Sequence, residues 1–176
     1  MIRKLQSTPA IYLVGFMGSG KSTIGRLLAD KIGWSFADLD EDIEAGENIS
    51  VAEIFETRGE AVFRQLETQA LRERVREVQC AKPTVLAMGG GAFVQPENFD
   101  LVAHSGVTVW LDCPLPALRA RVEKEDHRPL ARDPEEFEQL YHARRESYAR
   151  AEYRVEIKGD DPEAAVNEIL RLPIFD

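Results

Sequence analysis

Short runs of apolar and β-branched residues alternate along the chain with longer stretches whose apolar positions repeat at helical spacing. Such alternation is typical of a parallel sheet that carries helices on both faces. The pattern therefore predicts a three-layer α/β/α domain. The strand candidates are Ala10–Val14, Ser35–Asp38, Thr84–Ala87, Val107–Leu111 and Arg154–Ile157.

Capping and breaking residues place the helices between these strands. Ser50 and Glu53 have the spacing of a capping box, which predicts a short helix that begins after Ser50 and ends at Gly59. A longer helix is predicted from Ala61 to about Glu77. Proline favours the first turn of a helix, so further helices are expected to open at four prolines. These are Pro96, Pro114, Pro134 (a helix to about Ala151) and Pro162.

The segment 123–134 does not fit the alternation, because it is charged and contains two prolines. A plain surface loop is one interpretation. In a phosphoryl-transfer domain, a charged loop with arginines is better interpreted as a lid that closes over the phosphates. Either Arg128 or Arg132 would then reach the transferred group.

The chemistry of the chain is most evident at residues 15–22, which read GFMGSGKS, a complete phosphate-binding loop between a strand and a helix. Its backbone N–H groups and the helix N-terminus would surround phosphate oxygens. Lys21 would reach the β- and γ-phosphates, and the Ser22 hydroxyl would ligate Mg²⁺. The loop predicts that the chain binds a nucleoside triphosphate.

Two acids follow the second strand. Because Asp38 and Asp40 are two residues apart at a strand end, we expect both to point into the crevice where α/β sheets bind ligands. Asp38 is a candidate for holding Mg²⁺ or its water shell, and Asp40 for accepting a hydrogen bond from an acceptor hydroxyl. Helix capping or solvation is the alternative for this pair. Asp112, at the end of the fourth strand, is a second metal candidate.

Two further clusters suggest a site for an anionic acceptor. Arg64 and Glu67 lie three residues apart on one helix face, either as a surface ion pair or as a carboxylate that fixes a guanidinium for a ligand anion. Gly89, Gly90 and Gly91 follow the third strand, where a flexible linker is unusual. Close approach of a ligand to the main chain is the favoured explanation.

Composition and charge limit the classes of function. The 176 residues predict one domain, and a net charge of −9 argues against a nucleic-acid surface. Cys80 and Cys113 fit no metal or disulfide spacing, and no stretch predicts a membrane span or a signal peptide, so a reducing, cytoplasmic location is expected. The histidines show no ligand spacing.

Taken together in this order, the motifs resemble those of the bacterial, monofunctional shikimate kinase family, over about residues 11–170. The blocks that carry the resemblance are residues 15–23, Asp38-Leu39-Asp40, Gly59-Glu60, Phe63-Arg64, Glu67, Gly89–Gly91, Arg128-Pro129-Leu130, and Arg144 four residues before Tyr148. The resemblance implies a P-loop kinase fold with strand order 2-3-1-4-5 and a monomer. It also implies transfer of the γ-phosphoryl group from Mg²⁺-ATP to the 3-hydroxyl of shikimate, a step of aromatic amino acid biosynthesis.

For the donor, the resemblance implies that ATP is bound by Gly18, Ser19, Gly20, Lys21, Ser22, Thr23, Arg121 and Arg128. Arg121 would lie against adenine, and Arg128 would reach the γ-phosphate from the lid. Ser22 would ligate Mg²⁺, with Asp38 holding the metal through water.

For the acceptor, the resemblance implies contacts from Asp40, Arg64, Gly89, Gly90, Gly91 and Arg144. Asp40 would bind the ring hydroxyls, as a base or only by orienting them, while Arg64 and Arg144 would hold the carboxylate. Arg145 is adjacent, and Glu146 stands where the family usually has proline, so either arginine could face the substrate. Ala131 also departs from the usual lid sequence.

Two alternative functions share part of the pattern. A gluconate kinase would have the phosphate loop without the later blocks in this order. A non-catalytic nucleotide-binding module would not need Lys21, Ser22 and Arg128 together.

Overall fold

The computed structural model describes residues 10–80, 82–124 and 133–175 and contains one five-stranded parallel sheet. Its strand order is β2-β3-β1-β4-β5, as predicted. The strands are β1 (Ala10–Val14), β2 (Ser35–Asp38), β3 (Thr84–Ala87), β4 (Val107–Asp112) and β5 (Tyr153–Glu156). The first three have the predicted bounds, β4 is one residue longer at its carboxyl end, and β5 is shifted by one residue towards the N-terminus.

Strand β1 forms the centre of the sheet because it is apolar at every position and has a neighbour on each side. Tyr12 aligns with Leu86 of β3 and with Thr108 of β4. All five residues of β1 are buried, as expected for a parallel sheet covered on both faces. The Tyr12 hydroxyl and Ser105 Oγ are 2.7 Å apart, and this hydrogen bond satisfies a polar group inside the core.

Helices connect the strands and cover the sheet on both sides. They are α1 (Lys21–Ile32), α2 (Leu39–Glu47), α3 (Val51–Gln79), α4 (Pro96–Ala103), α5 (Leu115–Val122), α6 (Pro134–Tyr148) and α7 (Pro162–Leu170), with short 3₁₀ turns at Ala92–Val94 and Pro173–Phe175. Helix α1 packs against α7, and α3 packs against α2 and α4. Helix α6 ends three residues before the predicted position because Ala149 caps it.

Helix α2 was missed by the sequence analysis. Asp38 is its N-cap, with the carboxylate accepting hydrogen bonds from the backbone N–H groups of Asp40 and Glu41. Asp40 therefore lies in the first turn of a helix. Both acids do line the same cavity, as expected, but Asp40 reaches it from the helix and not from an extended strand end. The acids of the first turn are favourable there because they face the positive end of the helix dipole.

Helix α3 contains the predicted break at Gly59. The capping box at its start is present, since Ser50 N–H donates to Glu53 Oε2 at 2.9 Å and Glu53 N–H donates to Ser50 Oγ at 3.2 Å. Gly59 has φ 83° and ψ 170°, a conformation that is essentially restricted to glycine. The break allows two straight segments to follow each other with a change of direction.

The predicted lid falls largely outside the described residues. Arg128, Arg132 and Ala131 all belong to the part of the chain, 125–132, that the structure does not describe. After it, the Asp133 side chain caps α6 by accepting hydrogen bonds from two backbone N–H groups.

Cys80 and Cys113 are free thiols, the first exposed and the second buried. Within residues 10–80, 82–124 and 133–175, none of the helices has the length and apolar character needed to cross a membrane.

A pair of glycine substitutions tests the break in α3. We expect Gly59→Ala to lower the free energy of unfolding by about 1–3 kcal/mol, because alanine does not tolerate the Gly59 backbone conformation. Gly46→Ala is the control, since Gly46 lies inside α2 with open space around its Cα. There we expect a gain of about 0.4–1 kcal/mol. Urea unfolding measures both, and equal changes in the two variants would contradict the assignment.

Candidate active site

One cavity of about 1190 Å³ opens at the carboxyl ends of the strands. The phosphate loop lines one part of it, and residues from α2, α3, α6 and the turn after β3 line another. Of the residues predicted for the site, the cavity lining contains Gly18, Ser19, Gly20, Lys21, Ser22, Thr23, Asp38, Asp40, Arg64, Gly89, Gly90, Gly91, Arg121 and Arg144. Arg128 lies outside the described residues.

The phosphate loop joins β1 to α1 and presents backbone donors to the cavity. The N-cap of α1 is Gly20, which provides no side-chain cap, so the N–H groups of the first turn remain available for an anion. Lys21 Nζ donates to the backbone oxygens of Gly15 at 2.8 Å and Phe16 at 3.0 Å. The loop thus holds its lysine beside the place where phosphate oxygens would lie.

Two oxygen ligands suited to Mg²⁺ lie beside this loop. The Ser22 hydroxyl donates a hydrogen bond to Asp38 Oδ2, while Asp38 Oδ1 caps α2. Asp38 therefore caps the helix with one carboxylate oxygen and faces the phosphate loop with the other, so helix capping and metal binding do not exclude each other. Among the described residues there is no cluster of three acidic, histidine or cysteine side chains for a metal. A site of one hydroxyl and one carboxylate fits Mg²⁺, which usually relies on few protein ligands and on substrate phosphates.

Each glycine of the triplet faces a charged side chain. A methyl group on Gly89 would lie 2.8 Å from Glu67 Oε2 and 3.0 Å from Asp40 Oδ1. A methyl group on Gly91 would lie 2.5 Å from Arg64 Nη2, and one on Gly90 would lie 3.3 Å from an Arg144 nitrogen. At Gly89 and Gly91 the protein's own charged groups approach the main chain more closely than a β-carbon would normally allow. Close approach of a ligand to the triplet stays a prediction.

Arg64 and Glu67 form an ion pair in which Glu67 is buried and Arg64 half-buried, so it is not the surface ion pair that was the alternative. Arg64 Nη1 donates to Glu67 Oε1 at 2.9 Å, and its Nη2 lies 3.3 Å from Glu60 Oε1. Glu67 is fully buried, and its Oε2 has no hydrogen-bond partner. Burial raises the pKa of Glu67 to about 7, against the opposing attraction of Arg64.

The structure places Arg144 in the cavity and Arg145 outside its lining. Arg144 is 8% exposed, with its guanidinium 5.7 Å from the ring centre of Phe16 in the phosphate loop. Arg145 instead donates two hydrogen bonds to Asp112, at 2.6 and 3.1 Å. Asp112 also accepts from Arg154 at 2.9 Å and does not line the cavity, so it does not fit the role of second metal candidate.

Arg121 links the phosphate loop to the turn after β5. Its Nη1 donates to the Gly18 backbone oxygen at 2.9 Å, and its Nη2 donates to Gly159 and Asp160 at 3.1 and 2.9 Å. This turn was not predicted as part of the site, although a Gly-Asp-Asp-Pro segment at the carboxyl end of a strand is a signal for the same crevice. The contact of Tyr148 with the glycine triplet was not predicted either: the Tyr148 hydroxyl donates to the Gly90 backbone oxygen.

The family model for shikimate kinase matches residues 17–172 of this chain. The chain belongs to the shikimate kinase family. The family and the strand order expected from the motifs are thus confirmed.

Individual members of the family align over nearly the whole chain. The shikimate kinase of Persephonella marina is 40% identical over 161 residues, which are 91% of this chain and 96% of that protein. The shikimate kinase of Gloeobacter violaceus is 45% identical over 166 residues, 92% and 90% of the two chains. The shikimate kinase of Acinetobacter baumannii, solved in complex with shikimate, superposes with a TM-score of 0.88 and 33% identity over 97% of this chain and 96% of that one.

The position of Glu67 predicts a pH dependence of stability. Because the folded-state pKa of about 7 is above the ordinary 4.5, the protonated carboxyl is favoured in the folded protein. The contribution of the protonated Glu67 side chain to the free energy of unfolding is complete below pH 4.5 and is lost as the pH rises to about 7. We expect Glu67→Gln to gain stability relative to the native protein across this window, by at most about 1.4 kcal/mol per pH unit.

Urea unfolding of both proteins between pH 4.5 and 8 measures the difference. A difference that moves in the opposite direction would mean that the attraction of Arg64 outweighs burial.

Proposed function

We propose that this chain has the activity of its family and transfers the γ-phosphoryl group of ATP to the 3-hydroxyl of shikimate, giving shikimate 3-phosphate and ADP. The observation that carries the proposal is a single cavity with a phosphate loop at one part and two arginines beside a carboxylate at another. A small hydroxylated acid needs such partners, because its carboxylate pairs with guanidinium groups and its hydroxyls donate to an acid.

On the donor side, residues 18–23 bind the phosphates of ATP through backbone N–H groups and Lys21. Arg121 lies against the adenine; its place in the cavity lining, where hydrogen bonds to Gly18 and to the turn after β5 hold the guanidinium beside the phosphate loop, is compatible with this role. Arg128 provides a further positive charge for the γ-phosphate. It belongs to the proposed lid at 123–134, which lies mostly outside the described residues.

On the acceptor side, Arg64 and Arg144 hold the carboxylate of shikimate, and Gly89, Gly90 and Gly91 border the ring. Glu67 fixes the Arg64 guanidinium by a hydrogen bond of 2.9 Å. Asp40 accepts the hydrogen bond of the attacking hydroxyl and orients it towards the γ-phosphorus. The hydroxyl oxygen then forms the new bond to the γ-phosphorus while the bond from that phosphorus to the β–γ bridging oxygen breaks, and the hydroxyl proton passes either to the Asp40 carboxylate or to an oxygen of the transferred phosphoryl group.

Positioning and charge account for most of the catalysis, since a loose transition state requires little covalent assistance from the protein. Ser22 would ligate Mg²⁺ and Asp38 would hold the ion through water, and the ion would neutralise charge on the phosphate oxygens when bound. The contact between the Ser22 hydroxyl and Asp38 Oδ2 supports this pairing. We also infer that the chain acts as a monomer in the cytoplasm, a reducing compartment in which free thiols such as those of Cys80 and Cys113 persist.

A coupled assay of ADP release tests the function. With Mg²⁺-ATP, we expect turnover with shikimate and none with quinate or gluconate at equal concentration. Turnover with gluconate alone would indicate a kinase of the same fold with another acceptor. Binding of ATP without turnover of any acceptor would indicate a nucleotide-binding module.

Asp40→Asn tests the acceptor hydroxyl contact. The amide keeps the shape of the carboxylate but lacks its charge, so we expect kcat to fall by at least about a hundredfold. Steady-state kinetics with shikimate measures the loss. Activity within about threefold of the native enzyme would show that Asp40 is not essential.

Arg64→Lys tests the carboxylate contact, because lysine keeps the charge and loses the planar fork. We expect KM for shikimate to rise about tenfold to a hundredfold, with KM for ATP unchanged. Arg72→Lys is the matched control, since Arg72 lies on the same helix and pairs with Glu97 on the surface. If the two variants gave the same KM for shikimate, Arg64 would be misassigned.

A further inference from the structure

Helix α6 carries two adjacent arginines in different directions. Arg144 lines the cavity, whereas Arg145 reaches the end of β4, where both of its Nη atoms donate to Asp112. Adjacent residues of a helix are about 100° apart around its axis. The direction of Arg144 is therefore coupled to the place where Arg145 is held.

Several contacts hold the Arg145 side chain in place. Asp112 is buried at the end of β4, and its two oxygens accept the Arg145 fork at 2.6 and 3.1 Å. Arg145 also donates to the Tyr141 hydroxyl at 2.8 Å, which itself donates to the Cys113 backbone oxygen at 3.3 Å. The Arg145 guanidinium lies 4.9 Å from the ring centre of Trp110, another residue of β4.

We propose that Asp112 and Arg145 are positioning residues for recognition of the substrate carboxylate: by tying α6 to the end of β4, they set the rotation of the helix that aims Arg144 into the cavity. This inference rests on the proposed role of Arg144. A helix rotation of about 10° would move a guanidinium held about 6 Å from the axis by about 1 Å, and displacements of that size have large effects on reacting ligands.

Arg154 offers a matched control on the same carboxylate. It donates to Asp112 Oδ2 and lies near the same tryptophan ring, at 5.1 Å, but it belongs to β5 and not to α6. Removing either arginine leaves Asp112 with one guanidinium partner. Only the removal of Arg145 takes away the contact between Asp112 and the helix that carries Arg144.

The test compares steady-state kinetics of Arg145→Ala, Arg154→Ala, Arg144→Ala and the double variant Arg144→Ala/Arg145→Ala with those of the native enzyme. We expect Arg145→Ala to raise KM for shikimate about tenfold, with kcat and KM for ATP within about twofold. Arg154→Ala should leave all three within about twofold. Arg145→Lys, which can still donate to Asp112, should restore part of the loss.

The double variant separates positioning from general damage. If Arg145 acts only through Arg144, the double variant should have the same KM for shikimate as Arg144→Ala alone. Additive effects, an unchanged KM in Arg145→Ala, or equal effects of Arg145→Ala and Arg154→Ala would overturn the inference. Arg145→Gln keeps much of the side-chain stem and takes the place of the alanine variant if that variant does not fold.

Failure of the proposed function gives a different result. Absence of shikimate turnover by the native enzyme, or an unchanged KM for shikimate in Arg144→Ala, would remove the carboxylate role itself and this inference with it. A raised KM in Arg144→Ala beside an unchanged KM in Arg145→Ala would remove only the positioning role.

Discussion

Parallel pairing of β1 with both β3 and β4 brings the phosphate loop beside the other segments that build and support the site. Since parallel strands end at the same edge, the phosphate loop, the glycine triplet and the end of β4 become neighbours although about a hundred residues separate the first from the last. Helices α2, α3 and α6 then contribute their acids and arginines to the same crevice. A change in strand order would separate donor and acceptor regions.

Charge is the second constraint, because the chain has a net charge of −9 and its ligands are anions. The described structure concentrates Lys21, Arg64, Arg121 and Arg144 around one cavity. Glu67 is buried next to Arg64. Loss of water around the Glu67 carboxylate opposes its ionisation, whereas the positive charge of Arg64 favours that ionisation. The glycine triplet provides the space in which these charged groups approach the main chain.

Much of this could be predicted from residue patterns. Local signals are strong at the phosphate loop, at the capping box of Ser50 and at the break of Gly59, because each depends on neighbouring residues alone. The strands were found for the same reason. Helix α2 was missed because it is short and begins directly after β2, so that Asp38 is both the last residue of the strand and the N-cap of the helix.

The sequence by itself determined the family, the alternation of strands and helices, and which residue types are present for phosphate, metal and carboxylate. Only the tertiary structure decided that Arg144 faces the cavity while Arg145 is held by Asp112, and that the glycines make room for protein side chains. The physical reason is that these outcomes depend on how a helix is rotated against the sheet. That rotation is set by contacts between residues far apart in the chain, which local patterns do not record.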